Sequence, residues 1–204
     1  MKFFLIYIAI LHSLYAQPND IKEFFNGQRL MYSSKNEPKA KGIELSFEYP
    51  TSWNGLNGKR PNVLYQVTSN GGKGLEICNI VIKNIDFQNG YVLTEQDKEE
   101  LISLNSLKEN LPKDSIFLQG GKTKIEGIYT GWVRFLNKYE RADSKLLSIW
   151  QSYYMIYNQK LIIFGCSIAD GEFTPKEKLI EKFDTFHPLF QEMANSIIIY
   201  NKWR

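Results

Sequence analysis

Residues 3–11 form an unbroken apolar run directly after Met1 and Lys2. His12, Ser13, Leu14, Tyr15 and the small Ala16 follow, and polar sequence begins at Gln17-Pro18-Asn19-Asp20. A positive start, a short apolar stretch and a small residue before a polar one make the layout of a secretory signal peptide. The run is too short for an ordinary transmembrane helix, which needs about 20 residues. Residues 1–16 are therefore expected to be a signal peptide cleaved after Ala16, with no Cys next to the cleavage point to carry a lipid.

Residues 19–30 space Ile21, Phe24, Phe25 and Leu30 near one face of a helix. Residues 33–41 are polar, contain Pro38 and read as a loop. Ile43, Leu45, Phe47 and Tyr49 then alternate with Glu44, Ser46 and Glu48, the period of two of a half-buried strand, and Pro50 stops it. Trp53 follows in a turn rich in Gly and Asn. Two further strands are expected at 63–69 and 75–83, joined by Asn70-Gly71-Gly72-Lys73-Gly74, whose glycines supply positive φ. Ile77, Ile80, Val81 and Ile82 make the second of these apolar on both faces, as in a central strand covered by helices.

Thr94 reads as an N-cap, with Glu95 and Asp97 where the helix dipole favours negative charge. This helix is expected to run to about Asn110, ahead of Leu111-Pro112, with Leu101, Leu104, Leu107 and Leu111 facing inward. A β section follows, with a short strand at 116–118 and longer ones at 124–139, 146–157 and 161–169. Its connectors, Arg141-Ala142-Asp143-Ser144 and Asn158-Gln159-Lys160, are short enough to make the strands antiparallel neighbours. Thr174-Pro175-Lys176-Glu177 is a helix start with a Thr cap and Pro at the first position. Leu179, Phe183, Phe186, Phe190, Met193 and Ile197 then step along one helix face, and Pro188 is expected to kink or split that helix. Residues 197–200 read as a short last strand or a tail.

The strands are grouped rather than alternating one-for-one with helices. The expected class is α+β, an antiparallel β-sheet with helices packed against it. No repeat or linker divides the chain, so residues 17–41 form an N-terminal helix and loop and residues 42–204 a single domain. The whole chain has 204 residues and a formal net charge of +3. Its charges are mixed along the sequence, without the basic stripe of a nucleic-acid binder, and no nucleic-acid partner is expected. No second long apolar stretch exists, so no membrane span is expected in the mature chain.

Catalytic residue types are scarce. Only His187 lies outside the signal peptide, and it directly precedes Pro188. One His and two distant Cys cannot build a His-rich zinc site, and no Gly-x-Ser-x-Gly elbow supplies a nucleophile. His187 is read as a structural or surface residue. Cys78 and Cys166 lie in two expected strands, and the sequence leaves two outcomes: a disulfide, which export permits, or two buried thiols. Gly120-Gly121-Lys122-Thr123 lacks the first glycine of a phosphate loop, Ile116 standing in its place, and a strand rather than a helix follows; it reads as a β-turn. Asp170, Glu172 and Asp184 gather near the start of the last helix, but nothing in their spacing holds two carboxyls at the ~5 Å of a retaining glycosidase. No catalytic residue, metal or cofactor is expected.

Aromatic residues crowd two neighbouring strands: Tyr129, Trp132, Phe135, Tyr139, Trp150, Tyr153, Tyr154 and Tyr157. A period of two sends them to both faces. Either all are core, or Trp132, Trp150, Tyr153 and Tyr154 supply an aromatic binding surface.

The segment Lys41-Gly42-Ile43-Glu44-Leu45-Ser46-Phe47-Glu48-Tyr49-Pro50-Thr51-Ser52-Trp53, a strand ending in a Tyr-Pro-x-x-Trp corner, resembles the opening of the PsbP-like fold. That family includes the extrinsic PsbP protein of photosystem II, the Ran-binding Mog proteins and exported bacterial proteins of the DcrB type. The likeness covers residues 42–200 and implies an α/β/α sandwich. Known members are mostly non-enzymatic binding or assembly factors, and no family binding residue maps onto this chain. The expected function is an exported, non-enzymatic binding or accessory protein of the bacterial envelope, periplasmic or extracellular, with a protein or small-ligand partner. The rivals are an envelope hydrolase using Asp170, Glu172 or Asp184, and an immunity or chaperone protein for a secreted toxin.

Overall fold

The computed structural model describes residues 18–85, 91–141 and 144–203; the expected signal peptide lies outside them. Helix α1 (Asn19–Phe25) leads to strand β1 (Arg29–Ser33), a 3-10 turn (Pro38–Ala40), β2 (Leu45–Pro50), β3 (Asn54–Asn57) and β4 (Val63–Thr68). A single turn, α2 (Ser69–Gly72), joins β4 to β5 (Glu76–Asn84). Helices α3 (Glu95–Leu101) and α4 (Leu104–Glu109) precede four long strands, β6 (Ile116–Ile125), β7 (Ile128–Arg141), β8 (Ser144–Tyr157) and β9 (Lys160–Gly171). Helix α5 (Lys176–Asn195), strand β10 (Ile198–Ile199) and a 3-10 turn (Tyr200–Trp203) close the chain. The class is α+β, and every strand pair is antiparallel.

Two sheets form. The large one runs β3-β4-β5-β9-β8-β7-β6, and a small one runs β1-β2-β10. The large sheet is covered on both faces, which is why its central strands carry apolar residues on both sides. On one face, α5 sets Leu179, Phe183, Phe186, Phe190 and Met193 against Ile80, Ile82, Ile149, Met155, Ile162 and Phe164. The small sheet joins the same core through Leu45 and Phe47, with the Phe47 and Phe164 rings 5.4 Å apart. Ile21 and Phe24 of α1 and Tyr32 of β1 belong to that core too, so the first segment packs into the domain rather than standing before it. On the opposite face, α3 and α4 cover β6–β8 with two smaller clusters around Leu93, Ile102 and Ile156 and around Leu107, Val133 and Phe135.

Cys78 and Cys166 face each other across β5 and β9, with Cα atoms 4.0 Å apart, and their sulfurs are bonded. Of the two outcomes left open by the sequence, the structure takes the disulfide, buried in the main core.

Several elements differ from the sequence reading. The first helix stops at Phe25 because Gly27 turns the chain at φ +82°, and Leu30 then lies on an edge strand. The helix expected from Thr94 to Asn110 breaks at Ile102-Ser103, where the Ser103 hydroxyl caps α4 by accepting from the Ser106 N–H at 3.3 Å. The break lets the chain descend onto the sheet over Gly131, where an added Cβ would lie 2.0 Å from the Ile102 carbonyl. Leu101, expected inward, is consequently exposed.

Gly120 and Gly121 are not a turn but the interior of β6. A Cβ on Gly120 would stand 2.5 Å from a Leu104 methyl, so the residue is small to admit α4. The hairpin turn lies further on, at Glu126 and Gly127 with φ +52° and +71°, and divides the strand expected at 124–139. Thr174 does not cap α5, which begins after Pro175, and α5 passes Pro188 without splitting.

Candidate functional site

Strand alternation puts Trp132, Arg134 and Leu136 of β7 on the face toward α5, and Ile149, Gln151 and Tyr153 of β8 beside them. Arg134 and Gln151 are direct cross-strand partners. Helix periodicity brings Ile180, Phe183, Asp184 and His187 of α5 over the same region. The result is a polar network inside an otherwise apolar layer.

Arg134 is its centre. Its Nε donates to Gln151 Oε1 at 3.0 Å and its Nη1 to Asp184 Oδ1 at 2.8 Å. Its guanidinium carbon lies 4.6 Å from the Phe183 ring centroid, a cation–π contact. The Arg134 side chain is only 11% exposed, against 56% for Asp184. Among the described residues, nothing accepts from Nη2.

Gln151 Nε2 donates to Tyr153 Oη at 2.5 Å and lies 3.3 Å from His187 Nε2. With Oε1 turned to Arg134, that amide is a donor on the His187 side, so His187 is neutral and accepts on Nε2. Burial first, and the Arg134 charge second, hold the His187 pKa below its ordinary value, while Asp184 pulls the other way. Burial pushes the Tyr153 hydroxyl up to about 12, with the Gln151 hydrogen bond and the Arg134 charge opposing.

A recess of about 170 Å³ opens beside this network, lined by Leu118, Gln119, Arg134, Ile149, Ile180 and Phe183. Its lining is mainly aliphatic and aromatic, with Arg134 the one charged residue among those six. Such a pocket binds by enclosing an apolar group and orienting it through a few polar contacts. A wider, more open groove follows α3 and α4, lined by Tyr91, Leu93, Asp97, Glu100, Leu101 and others. Its Asp97 carboxylate is engaged by the Thr94 cap and the Tyr91 hydroxyl.

The residues singled out in the sequence are scattered. Trp132 and Tyr153 face α5, whereas Trp150 and Tyr154 face α3 and α4, so the four do not form one aromatic surface. Tyr153 is buried, and Trp150 donates its indole N–H to Ser148 Oγ at 3.1 Å. Of the three carboxylates, only Asp184 reaches the site; Asp170 Oδ1 accepts from the Gly171 N–H at the end of β9. Among the described residues, no three His, Cys, Asp or Glu side chains gather to hold a metal. No helix of the described residues is long and apolar enough to cross a membrane. His187, read as structural or surface, belongs to the network. Sequence reasoning missed Arg134 and Gln151, although each interrupts an apolar stripe at a core-facing position: Trp132-x-Arg134-x-Leu136 and Ile149-x-Gln151-x-Tyr153.

No family model and no curated protein matches the sequence. Solved structures do. The cyanobacterial PsbP of Synechocystis sp. PCC 6803 is 15% identical, with a TM-score of 0.47 over 85% of this chain and 93% of its own. The Ran-binding protein Mog1p of Saccharomyces cerevisiae is 11% identical, with a TM-score of 0.48 over 84% of this chain and 95% of its own. LpqN of Mycobacterium tuberculosis, involved in cell envelope biogenesis, is 9% identical, with a TM-score of 0.43 over 88% and 96%. The likeness is one of fold alone, and no residue role is carried over from it.

Proposed function

We propose that this chain is an exported, non-enzymatic binding or accessory protein of the bacterial envelope, and that it holds its ligand in the Arg134 recess. The observation that carries this reading is the guanidinium itself. It is nearly buried, fixed by Gln151, Asp184 and Phe183, and keeps Nη2 uncommitted beside a recess with apolar walls. A largely buried, oriented cation beside an apolar recess is the kind of polar group that orients a ligand in such a pocket. Export is supported by the Cys78–Cys166 disulfide, a bond that oxidising compartments maintain. Of the carboxylates a hydrolase would use, Asp184 is engaged by Arg134 and Asp170 by its own turn.

The test is to label the exported chain with nitrogen-15, expose it to a small-molecule extract of its own envelope, and recover the bound species. The expected result is resonance shifts centred on Leu118, Gln119, Ile149 and Ile180, with the bound molecule recovered chemically unchanged. Shifts confined to other faces, or a ligand recovered as a cleaved product, would overturn the reading.

A further inference from the structure

We propose that the Arg134 recess selects a carboxylate carried on a small apolar group, a free monocarboxylate or the C-terminus of a peptide; this rests on the binding reading above. The charge requirement comes from the guanidinium. With Nε given to Gln151 and one Nη1 hydrogen to Asp184, the Nη2 hydrogens and the second Nη1 hydrogen remain. The Nη1–Nη2 end, whose parallel N–H groups match the two oxygens of a carboxylate, is the edge a ligand takes as it displaces Asp184 from Nη1.

The apolar requirement comes from the walls. Leu118 and Ile180 present its accessible apolar surface, Ile149 and Phe183 lie buried behind them, and Gln119 supplies one amide. The volume, about 170 Å³, is close to the ~150 Å³ of an apolar cavity known to take a benzene ring. A group of that size fits; a sugar ring with its hydroxyls would leave them facing aliphatic walls without partners.

Asp184 gives the idea its sharpest consequence. It is the exposed carboxylate already on the guanidinium and so competes with an incoming one. Removing its charge should strengthen ligand binding, whereas a merely structural ion pair would show no such gain.

The experiment titrates the full exported chain with phenylacetate, with neutral phenylacetamide and with acetyl-glycyl-phenylalanine, read by nitrogen-15 shifts at Gln119, Ile149 and Ile180. The expected result is saturable binding of an acid, roughly tenfold weaker binding of the amide, and several-fold tighter acid binding in Asp184→Asn. Whichever acid binds more tightly identifies the free acid or the peptide terminus as the source. Arg134→Lys, which keeps the charge but loses the two-pronged edge, should bind less tightly than the wild type. Equal binding of acid and amide, no gain in Asp184→Asn, or no shifts at millimolar acid would overturn the proposal. Should no probe bind while the envelope extract still shifts the recess, the carboxylate assignment fails and the binding reading stands.

Discussion

Gln151 stands directly across β7 and β8 from Arg134, and its amide holds both halves of the network: Oε1 accepts from the guanidinium at 3.0 Å, and Nε2 donates to Tyr153 at 2.5 Å. A residue of either chemistry alone could not do both. Replacing it by Leu, which fills similar space, leaves Arg134 Nε and the Tyr153 hydroxyl unpaired in a buried layer. Gln151→Leu should lower unfolding free energy by about 2–4 kcal/mol. Urea denaturation checks this, and a loss below 1 kcal/mol would show that water replaces the amide at little cost.

The His187 environment predicts a pH dependence. Its folded pKa lies below the ordinary 6.5, so the unfolded chain binds a proton that the native state resists. Stability contributed by neutral His187 is full above pH 6.5 and is lost as pH falls below it, toward the lowered folded pKa. Urea midpoints measured on both sides of pH 6.5 should therefore rise with pH, and His187→Gln should flatten that rise.

Glu76 predicts a second, more acidic window. Burial would raise its pKa, but the hydrogen bonds from Lys182 and Ser69 and the Lys182 charge outweigh it, and the carboxyl sits below its ordinary 4.5. The Lys182 ammonium of α5 is 2.6 Å away. This contribution is present above pH 4.5 and lost as pH falls through the lower folded value. Glu76→Gln should cost about 1–2 kcal/mol at neutral pH and little in acid, as acid-titrated thermal melts would show.

The disulfide closes a loop with a sequence separation of 88 between two central strands. The chain-entropy treatment gives it about 4–5 kcal/mol. The Cys78→Ala/Cys166→Ala double variant should lose most of that, read from denaturant unfolding. Wild type unfolded without reductant should show no free thiol, and a full pair of thiols there would contradict the bond.

How much of this was legible in the sequence depends on the kind of signal. The alternation from Ile43 to Tyr49 and the apolar run of β5 gave the strands, because a period of two survives without knowledge of neighbours. Gly120 and Gly131 misled or went unread because their smallness answers to α4 packed on the sheet, a tertiary demand. A glycine in a strand and a glycine in a turn look alike until φ is known. Glu126-Gly127 escaped notice for the converse reason, since Glu is an uncommon residue at a positive φ. The aromatic residues were visible, but their division between two faces set them apart as Trp132 with Tyr153 and Trp150 with Tyr154. Arg134 was one basic residue among many until Asp184 and Gln151 converged on it from elements far apart in sequence.

The most direct check of the central claim is the nitrogen-15 spectrum of the Arg134 guanidinium itself. The account predicts a slowly exchanging Nε–H, held by Gln151, and Nη2 signals that shift as phenylacetate is added. An Nε–H exchanging as fast as that of an exposed arginine, or Nη2 signals unmoved under saturating acid, would contradict it.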